Sequence, residues 1–389
     1  MGEQTSLVLL PLIAVLTLHI DAEQLGVLRA VGQAPQLLLA LLVGVWVDRW
    51  RTRTVMVLSD AGRALVLGVL AVVALRGGLS VWMLMVVVFA VGALSVFFDV
   101  AYQASLVRLV KRDQLLQGNS AIEASRSAAE MGGPALAGTM SSLLAAPLAV
   151  ASGVFLFVVS FLAISGIRRN ESIPQQLGGA QRMWRRIHDG VRFVGGDPVL
   201  RAVCLASAAF QFFFAALMTA YLLFLPRELH LSGAVIGLAL AATGPGALVG
   251  ALLAGRLPRR LGYGPVLVAA ATVGNSMLLG LSALRGNSLI TVCALMVANF
   301  VFGACGQLVN VTIMAVRQAA TPDFMQGRVA ATITFAGMGL TPLGALTGGL
   351  LAGHWSIRTA LIIAAAGMML SPLSMVLSPL GRLGRTLQR

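Results

Sequence analysis

Charged side chains lie inside several long apolar segments, where they could bind or pass a proton. Asp60 and Arg63 are three residues apart on one predicted helix and therefore share a face. Glu123, Arg126 and Glu130 repeat this arrangement further along the chain. An ionisable group inside a membrane helix is expensive to bury and is a functional candidate by default. Because desolvation raises the proton affinity of a carboxylate, the chemistry indicated is proton binding and release.

Two of the carboxylates lie deep in their helices. At about 1.5 Å rise per residue, Glu130 is about 15 Å from the start of its helix, and Asp99 is about 13 Å from the end of its own. We predict that both take part in a proton relay. The pairs Asp60–Arg63 and Glu123–Arg126 fit equally well as static ion pairs that stabilise the helix bundle.

The elements that carry these charges are predicted to be membrane helices. The chain of 389 residues is 58% hydrophobic and 11% charged, with a mean hydropathy of +0.89, whereas soluble domains carry about 25% charged residues. The apolar runs are continuous rather than alternating, and backbone groups in lipid must be paired within a helix or a closed barrel. We predict twelve spans, near residues 5–20, 23–46, 54–75, 80–107, 120–145, 147–167, 199–225, 234–257, 264–284, 288–314, 327–353 and 356–378.

The spans fall into two sets of six, separated by the longest polar segment. We predict a six-helix bundle over 1–167, a cytoplasmic linker over 168–198, a second six-helix bundle over 199–378 and a cytoplasmic tail over 379–389. Of the 28 lysines and arginines, 21 lie in the even-numbered loops, the linker and the tail. The positive-inside rule places this side, with both termini, in the cytoplasm. The net charge of +14 is therefore interpreted as a topology signal and a contact for anionic membrane lipids, not as nucleic-acid binding.

The two halves resemble each other at a nearly constant offset. Leu41-Leu42-Val43-Gly44 matches Leu252-Leu253-Ala254-Gly255 at an offset of 211, and Gln117-Gly118 matches Gln326-Gly327 at 209. Duplicated helical halves around a central binding site are typical of secondary transporters.

The short loop between spans 2 and 3 carries the strongest motif. It runs from Gly44 through Asp48, Arg49 and Arg53, and it resembles the signature of the major facilitator superfamily. The resemblance implies a conformational latch, in which the aspartate meets the start of span 11, where the helix dipole favours an anion. It also implies that an acid on span 4 pairs with the loop arginines, so a place of Asp99 in the latch is the alternative to its role in the relay. Thr52 stands where a basic residue is usual, so the contacts of the latch are expected to differ. A merely basic loop on the cytoplasmic side is the simpler alternative.

Span 5 contains Gly133, Pro134 and Gly138, which resemble the glycine–proline motif of proton-coupled antiporters in the same superfamily. Small residues at this spacing let helix backbones touch, and proline bends the helix. The implied role is a tight seam between spans 5 and 8 that limits leakage. Ordinary small-residue packing remains the alternative.

Further stretches are similar to the branch that contains enterobactin exporters and macrolide efflux proteins. This branch implies a bacterial inner-membrane protein driven by the proton-motive force, with no cofactor, and we expect a monomer. Only about 14 apolar residues run from Ser6 to His19, too few to cross a bilayer. We therefore expect that the given start falls partway through the first helix, which would place Glu3 near mid-membrane, within reach of the relay.

The resemblance also implies a substrate cavity lined by spans 1, 4, 7 and 10. A wide aromatic surface with few polar groups suits a lipophilic or amphiphilic small molecule. Amide side chains inside spans are the best candidates for its polar contacts, because lipid would leave them unpaired. The candidate cavity residues are Gln33, Gln36, Gln211, Phe214, Tyr221, Asn299, Gln307 and Asn310.

The sequence therefore predicts an exporter rather than an enzyme. Cys204, Cys293 and Cys305 lack the spacing of metal ligands, and no nucleophile–base pair stands out. Two alternatives stay open. The first is a lysophospholipid flippase of the same fold, and the second is a non-transporting scaffold or sensor, including an inactive truncated transporter.

Overall fold

The long apolar runs form helices along the whole chain. The computed structural model describes residues 1–47, 50–109, 115–166, 180–322 and 325–385. Within these ranges every regular element is an α-helix or a short 3-10 helix. The α-helices are α1 (Gly2–Leu16), α2 (Ala22–Val47), α3 (Thr52–Leu75), α4 (Val81–Leu109), α5 (Leu115–Leu143), α6 (Ala146–Ser165), α7 (Ala180–Gly196), α8 (Pro198–Arg227), α9 (Gly233–Ala241), α10 (Thr243–Ala254), α11 (Leu257–Leu261), α12 (Tyr263–Gly280), α13 (Leu289–Ala320), α14 (Gln326–Gly339), α15 (Thr341–His354), α16 (Ile357–Met368) and α17 (Leu370–Val376).

In the described residues, helices occupy the positions of all twelve spans that the sequence predicted. In the described part of the chain, nine helices or helix pairs are long and apolar enough to cross a membrane, and three of these nine are the pairs α9–α10, α14–α15 and α16–α17. The other three spans are α1, with 15 residues, α2, with 26, and α5, with 29. The fold is therefore that of an all-α membrane protein with a short first helix.

By its contacts the chain divides into two units. The first unit comprises Met1–Leu177 and Leu231–Ala241, and the second comprises Gly178–His230 and Ala242–Arg389. Span 8 is thus shared, because α9 belongs to the first unit and α10 to the second. The domain limits predicted from the sequence stay a prediction.

The first unit is built from α1 to α6 and α9. Helix α3 packs against α4 and α6, α2 packs against α4, and α5 packs against α1 and α9. Large leucines such as Leu9, Leu12, Leu67 and Leu70 are fully buried between these helices. The close packing between these helices buries apolar side chains and fixes the position of the polar residues beside them.

Helix α8 is the centre of the second unit. It packs against α14, α15, α16 and α17, while α13 packs against α10 and α12. Asp197 begins α8 as an N-cap, and its carboxylate accepts hydrogen bonds from the backbone N–H groups of Val199 and Leu200 at 2.9 and 3.0 Å. This long helix carries the aromatic residues Phe210 and Phe214.

Helix α7 lies within the segment that the sequence marked as a polar linker. Val194 is buried in the core of the second unit, and Gly190 lets α7 approach Arg328 and Thr332 on α14. Asp189 accepts a hydrogen bond from Arg328 at 3.2 Å, in a pair that is well exposed to solvent. The linker therefore contains a helix that docks on the start of α14.

Candidate functional site

A buried charge cluster lies inside the first unit, centred on Arg63 of α3. Arg63 Nη2 donates to Asp60 Oδ1 at 2.5 Å, one helical turn away. Arg63 is 1% exposed and Asp60 is 0% exposed. We use the term charge cluster for Arg63, Asp60, Glu3, Ser95 and Ser160. The sequence placed Asp60 and Arg63 on one face of a helix, and the structure brings them into direct contact.

Two serines from other helices complete the hydrogen bonds of this pair. Ser160 of α6 donates to Asp60 Oδ2 at 2.6 Å, and Arg63 Nη1 donates to Ser95 of α4 at 3.2 Å. Both carboxylate oxygens of Asp60 are therefore occupied. A buried ion pair loses its hydration, and such added hydrogen bonds compensate only part of that loss.

Two aromatic rings enclose the guanidinium. Arg63 Cζ lies 4.4 Å from the ring centroid of Phe98 and 4.6 Å from that of Phe157. Both distances suit a cation–π interaction, which strengthens where water is excluded. Arg63 Nε is buried and has no hydrogen-bond partner among the described residues. The cation is thus held mainly by one carboxylate, one hydroxyl and two ring faces.

Glu3 of α1 is the outer member of the cluster. Its Oε2 lies 3.8 Å from Arg63 Nη1, and 31% of its side chain is exposed. A single guanidinium therefore faces two carboxylates in different surroundings. This contact also ties α1 to α3.

The other predicted relay residues lie elsewhere or outside the described side chains. Asp99 of α4 is half-buried, and Glu130 of α5 is exposed. The side chains of Glu123 and Arg126 lie outside the described residues. The role of all these residues in a relay stays a prediction.

The predicted latch motif is described only in part. Asp48 and Arg49 lie outside the described residues, and Gly44 is known only as part of the backbone of α2. Arg53 donates to the carbonyl oxygens of Ile164, at 3.4 Å, and Ser165, at the end of α6. A cation at a helix C-terminus interacts favourably with the helix dipole. Arg53 therefore fastens α3 to α6 inside the first unit.

The glycines of the predicted antiporter motif allow close approach of two different helices. A Cβ added at Gly133 would lie 2.9 Å from the carbonyl carbon of Gln4 on α1. A Cβ added at Gly138 would collide with the backbone of Gly233 and Gly237 on α9. Pro134 lies between them, within α5. Helix α5 therefore holds α1 through one glycine and the first half of span 8 through the other.

The second unit joins two of the predicted cavity residues to each other. Asn299 Nδ2 of α13 donates to the hydroxyl of Tyr221 of α8 at 2.9 Å, and also to the Leu295 carbonyl at 2.9 Å. Tyr221 and Asn299 are both buried. Their polar groups are therefore used inside the unit, where they hold α8 against α13.

Three phenylalanines continue this contact along the same two helices. Phe214 stacks on Phe210 with centroids 5.4 Å apart and on Phe302 with centroids 5.5 Å apart, and Phe210 lies 6.5 Å from Phe302. We call these three half-buried rings the aromatic seam. Nearly parallel rings at these distances offer a surface on which a flat apolar molecule can stack.

The remaining predicted cavity residues are distributed over both units. Gln33 and Gln36 are half-buried in the first unit, and the buried Oε1 of Gln33 has no hydrogen-bond partner among the described residues. In the second unit Gln211 and Gln307 are half-buried, and Asn310 is exposed. Their role as substrate contacts stays a prediction.

An ion pair that the sequence did not predict lies in the second unit. Arg358 Nε donates to Glu228 Oε2 at 3.0 Å, and its Nη1 donates to the carbonyl of Ser282 at 2.7 Å. The guanidinium also lies 5.2 Å from the ring centroid of Phe224. Arg358 thus joins the end of α8 to the start of α16. Sequence spacing gave no signal, because the partners are 130 residues apart.

The buried amide–hydroxyl contact between Tyr221 and Asn299 leads to a stability prediction. A Tyr221→Phe variant is expected to lose about 1 kcal/mol of unfolding free energy, because Asn299 keeps its bond to Leu295. An Asn299→Leu variant is expected to lose about 1–3 kcal/mol of unfolding free energy, because it also removes the hydrogen-bond donor of the buried Tyr221 hydroxyl. Thermal unfolding of the purified protein measures both, with the exposed Asn310→Leu as control. A shift for Asn310→Leu as large as that for Asn299→Leu would contradict the prediction.

Comparison with known proteins identifies the family. The family of transmembrane secretion effectors matches residues 13–386. The chain is 26% identical over 372 residues to the uncharacterized MFS-type transporter YfiS of Bacillus subtilis, covering 91% of this chain and 85% of that protein. It is 27% identical over 369 residues to the multidrug efflux pump Tap of Mycobacterium tuberculosis, covering 90% of this chain and 83% of Tap.

Solved structures show the same fold. A bacterial homolog of the human lysosomal transporter Spinster has a TM-score of 0.77 and 11% identity, over 100% of this chain and 95% of that one. The nucleoside transporter NupG has a TM-score of 0.74 and 13% identity, over 97% and 95% of the two chains. These structures support the fold, and the family match covers nearly the whole chain. The protein therefore belongs to the transmembrane secretion effector family of the major facilitator superfamily, and it is a multi-pass membrane transporter rather than an enzyme.

Proposed function

We propose that this transporter is a secondary active exporter that exchanges protons for a lipophilic or amphiphilic small molecule by alternating access. We place it in the bacterial inner membrane, with both termini in the cytoplasm and membrane lipids around it. It acts as a monomer, needs no cofactor and takes its energy from the proton-motive force. The excess of basic residues in the linker, the tail and the even-numbered loops supports this orientation.

The charge cluster is the observation that carries the proposal. Asp60 and Arg63 are almost fully buried inside the first unit. Apolar residues of similar volume commonly stabilise a protein as well as or better than a buried ion pair does. Ionisable groups at membrane depth are accordingly associated with proton relays and ion pathways. A cluster with a partly exposed carboxylate, Glu3, suits proton exchange.

The aromatic seam supports a lipophilic substrate. Phe210, Phe214 and Phe302 present nearly parallel rings that are only half-buried. Apolar and aromatic walls with a few polar groups are typical of sites for small organic molecules. The relatives named as multidrug efflux pumps agree with this class of substrate.

Transport of ethidium, a flat lipophilic cation, by reconstituted protein tests the proposal. Proteoliposomes with an imposed pH gradient should move ethidium against its concentration gradient, and collapse of the gradient by a protonophore should stop this movement. We expect Asp99→Asn or Glu130→Gln to lower the rate of gradient-driven ethidium transport at least about tenfold, because the amide side chain cannot bind and release a proton. A positioned acid or base commonly contributes a factor of about 10²–10⁴ to a proton-transfer step.

The same vesicles distinguish the alternatives. If ethidium is not transported but a fluorescent lysophospholipid is moved from one leaflet to the other, the substrate is a lipid and the proposal is wrong. If neither molecule moves, a non-transporting scaffold is favoured. If ethidium moves at the same rate with Asp99→Asn, with Glu130→Gln and with both changes combined, these carboxylates have no part in the relay.

A further inference from the structure

The two carboxylates of the charge cluster are not equivalent. Asp60 is held by Arg63 at 2.5 Å and by Ser160 at 2.6 Å, so both of its oxygens are bonded. Among the described side chains, Glu3 is paired with Arg63 alone, at 3.8 Å and through one oxygen. Short charge-assisted hydrogen bonds stabilise the anion they hold. Asp60 is therefore the fixed anion of the cluster, and Glu3 is the weakly held one.

The two carboxylates also differ in their access to protons. The side chain of Asp60 is 1% exposed, whereas that of Glu3 is 31% exposed. Protonation of Glu3 therefore displaces, among the described side chains, the single 3.8 Å contact with Arg63. To reach Asp60, a proton would have to displace either the guanidinium or the Ser160 hydroxyl.

From this arrangement we infer that Glu3 is the group that binds and releases the transported proton, while Asp60 keeps Arg63 in place throughout. The inference rests on the proposed proton-coupled export and names the site of coupling. A proton adds to Glu3 Oε2, and the ion pair of Glu3 with Arg63 is lost. Release of the proton restores the carboxylate and the ion pair, so charge and atoms balance over the cycle.

The mechanical consequence is a change in how α1 is held. With Glu3 neutral, Arg63 keeps its bonds to Asp60 and Ser95, but α1 loses its ion pair to α3. Helix α1 is also held by close packing contacts, among them those of Gln4 with Gly133 and of Gly2 with Phe157. Packing contacts do not depend on protonation. The Glu3–Arg63 pair is therefore a contact between α1 and α3 that depends on protonation.

Other ionisable groups near α1 must be considered with Glu3. The amino group of Met1 interacts electrostatically with Glu3, Arg63 and Asp60. Helix α6, which packs on α1, carries no ionisable side chain. The remaining ionisable residues on the helices packed against α1 are Glu23 and Arg29 on α2, Asp99, Tyr102 and Arg108 on α4, and Glu123, Arg126 and Glu130 on α5.

The test compares two carboxylates that are matched in exposure. Glu228 of the second unit is 33% exposed and, like Glu3, is paired with one guanidinium. Purified wild type, Glu3→Gln and Glu228→Gln are mixed with ethidium in weakly buffered detergent solution containing a pH indicator. We expect about one proton released per ethidium bound by wild type and by Glu228→Gln, and none by Glu3→Gln. In proteoliposomes, Glu3→Gln should still move ethidium down its gradient, but should lose stimulation by a pH gradient.

Different results separate the inference from the proposed function. If wild type releases protons and Glu3→Gln releases as many, the inference is wrong while proton-coupled export stands. If wild type neither releases protons nor responds to a pH gradient, the proposed function fails and the inference fails with it. Should Glu3→Gln not fold, Glu3→Asp serves instead. Moving the carboxylate should displace the pH midpoint of proton release, and an unchanged midpoint would overturn the inference.

Discussion

An Arg63→Met variant is expected to unfold far more readily than the wild type, with a loss of about 3–5 kcal/mol in unfolding free energy. The side chain of methionine fills much of the same space between Phe98 and Phe157, so the change removes charge rather than volume. Asp60 would remain buried, with Ser160 as its one hydrogen-bond donor among the described residues. An unpaired buried charge is the reason for the large loss.

Thiol-reactive fluorescence during heating measures this effect, because Cys204 and Cys305 are only partly accessible in the folded protein. The double variant Asp60→Asn, Arg63→Met should regain most of the lost stability, since neither charge then remains in the pair. The solvent-exposed pair of Asp189 and Arg328 provides the matched control. Asp189→Asn should change stability by less than about 1 kcal/mol. If Arg63→Met and Asp189→Asn lowered the unfolding free energy equally, burial would not determine how much an ion pair contributes to stability.

A Gly138→Leu variant is expected to produce the second large effect, by forcing α5 away from α9. A side chain at Gly138 would collide with the backbone of Gly233 and Gly237. Backbone atoms cannot relieve such a collision by changing rotamer, as a side chain can. A Cβ at Gly237 would in turn lie 2.7 Å from Gly138 Cα. Overpacking of this kind costs about 1–3 kcal/mol, and more where the backbone is fixed.

The control for this variant is Gly68→Leu, because a Cβ at Gly68 of α3 meets no atom within 4 Å. Both changes add the same side chain to a glycine inside a membrane helix. We expect a lower thermal midpoint and lower ethidium transport for Gly138→Leu, and near-wild-type values for Gly68→Leu. If both variants behave alike, the contact between α5 and α9 has no special importance.

The positions of the helices could be read from the sequence because they follow from local properties. Length, hydropathy and charge place each span within a few residues. The docking of α7 could not be read in this way, because the polar segment around it conceals the helix. It depends on Gly190 fitting against Arg328, which is 138 positions later in the chain. The break of span 8 at Ala242 depends likewise on two different partners for its two halves.

The charge cluster shows the same limit at the level of the site. The contact between Asp60 and Arg63 could be predicted because it lies within one helical turn. Ser160 is 100 residues from Asp60, and Ser95 is 32 residues from Arg63. Serines are common in membrane helices, and nothing in their local sequence distinguishes these two. Which residues complete a buried ion pair is decided by helix packing, which no local pattern encodes.

The assignment of α9 to the first unit has a consequence for biosynthesis. The face of α5 around Gly138 receives its partner only when Leu231–Ala241 has been made and inserted. By then the ribosome has already produced Gly178–His230, which belongs to the second unit. The first unit therefore cannot finish assembling as a simple N-terminal product. A chain that stops within the linker would leave the glycine face of α5 open to lipid or to another protein.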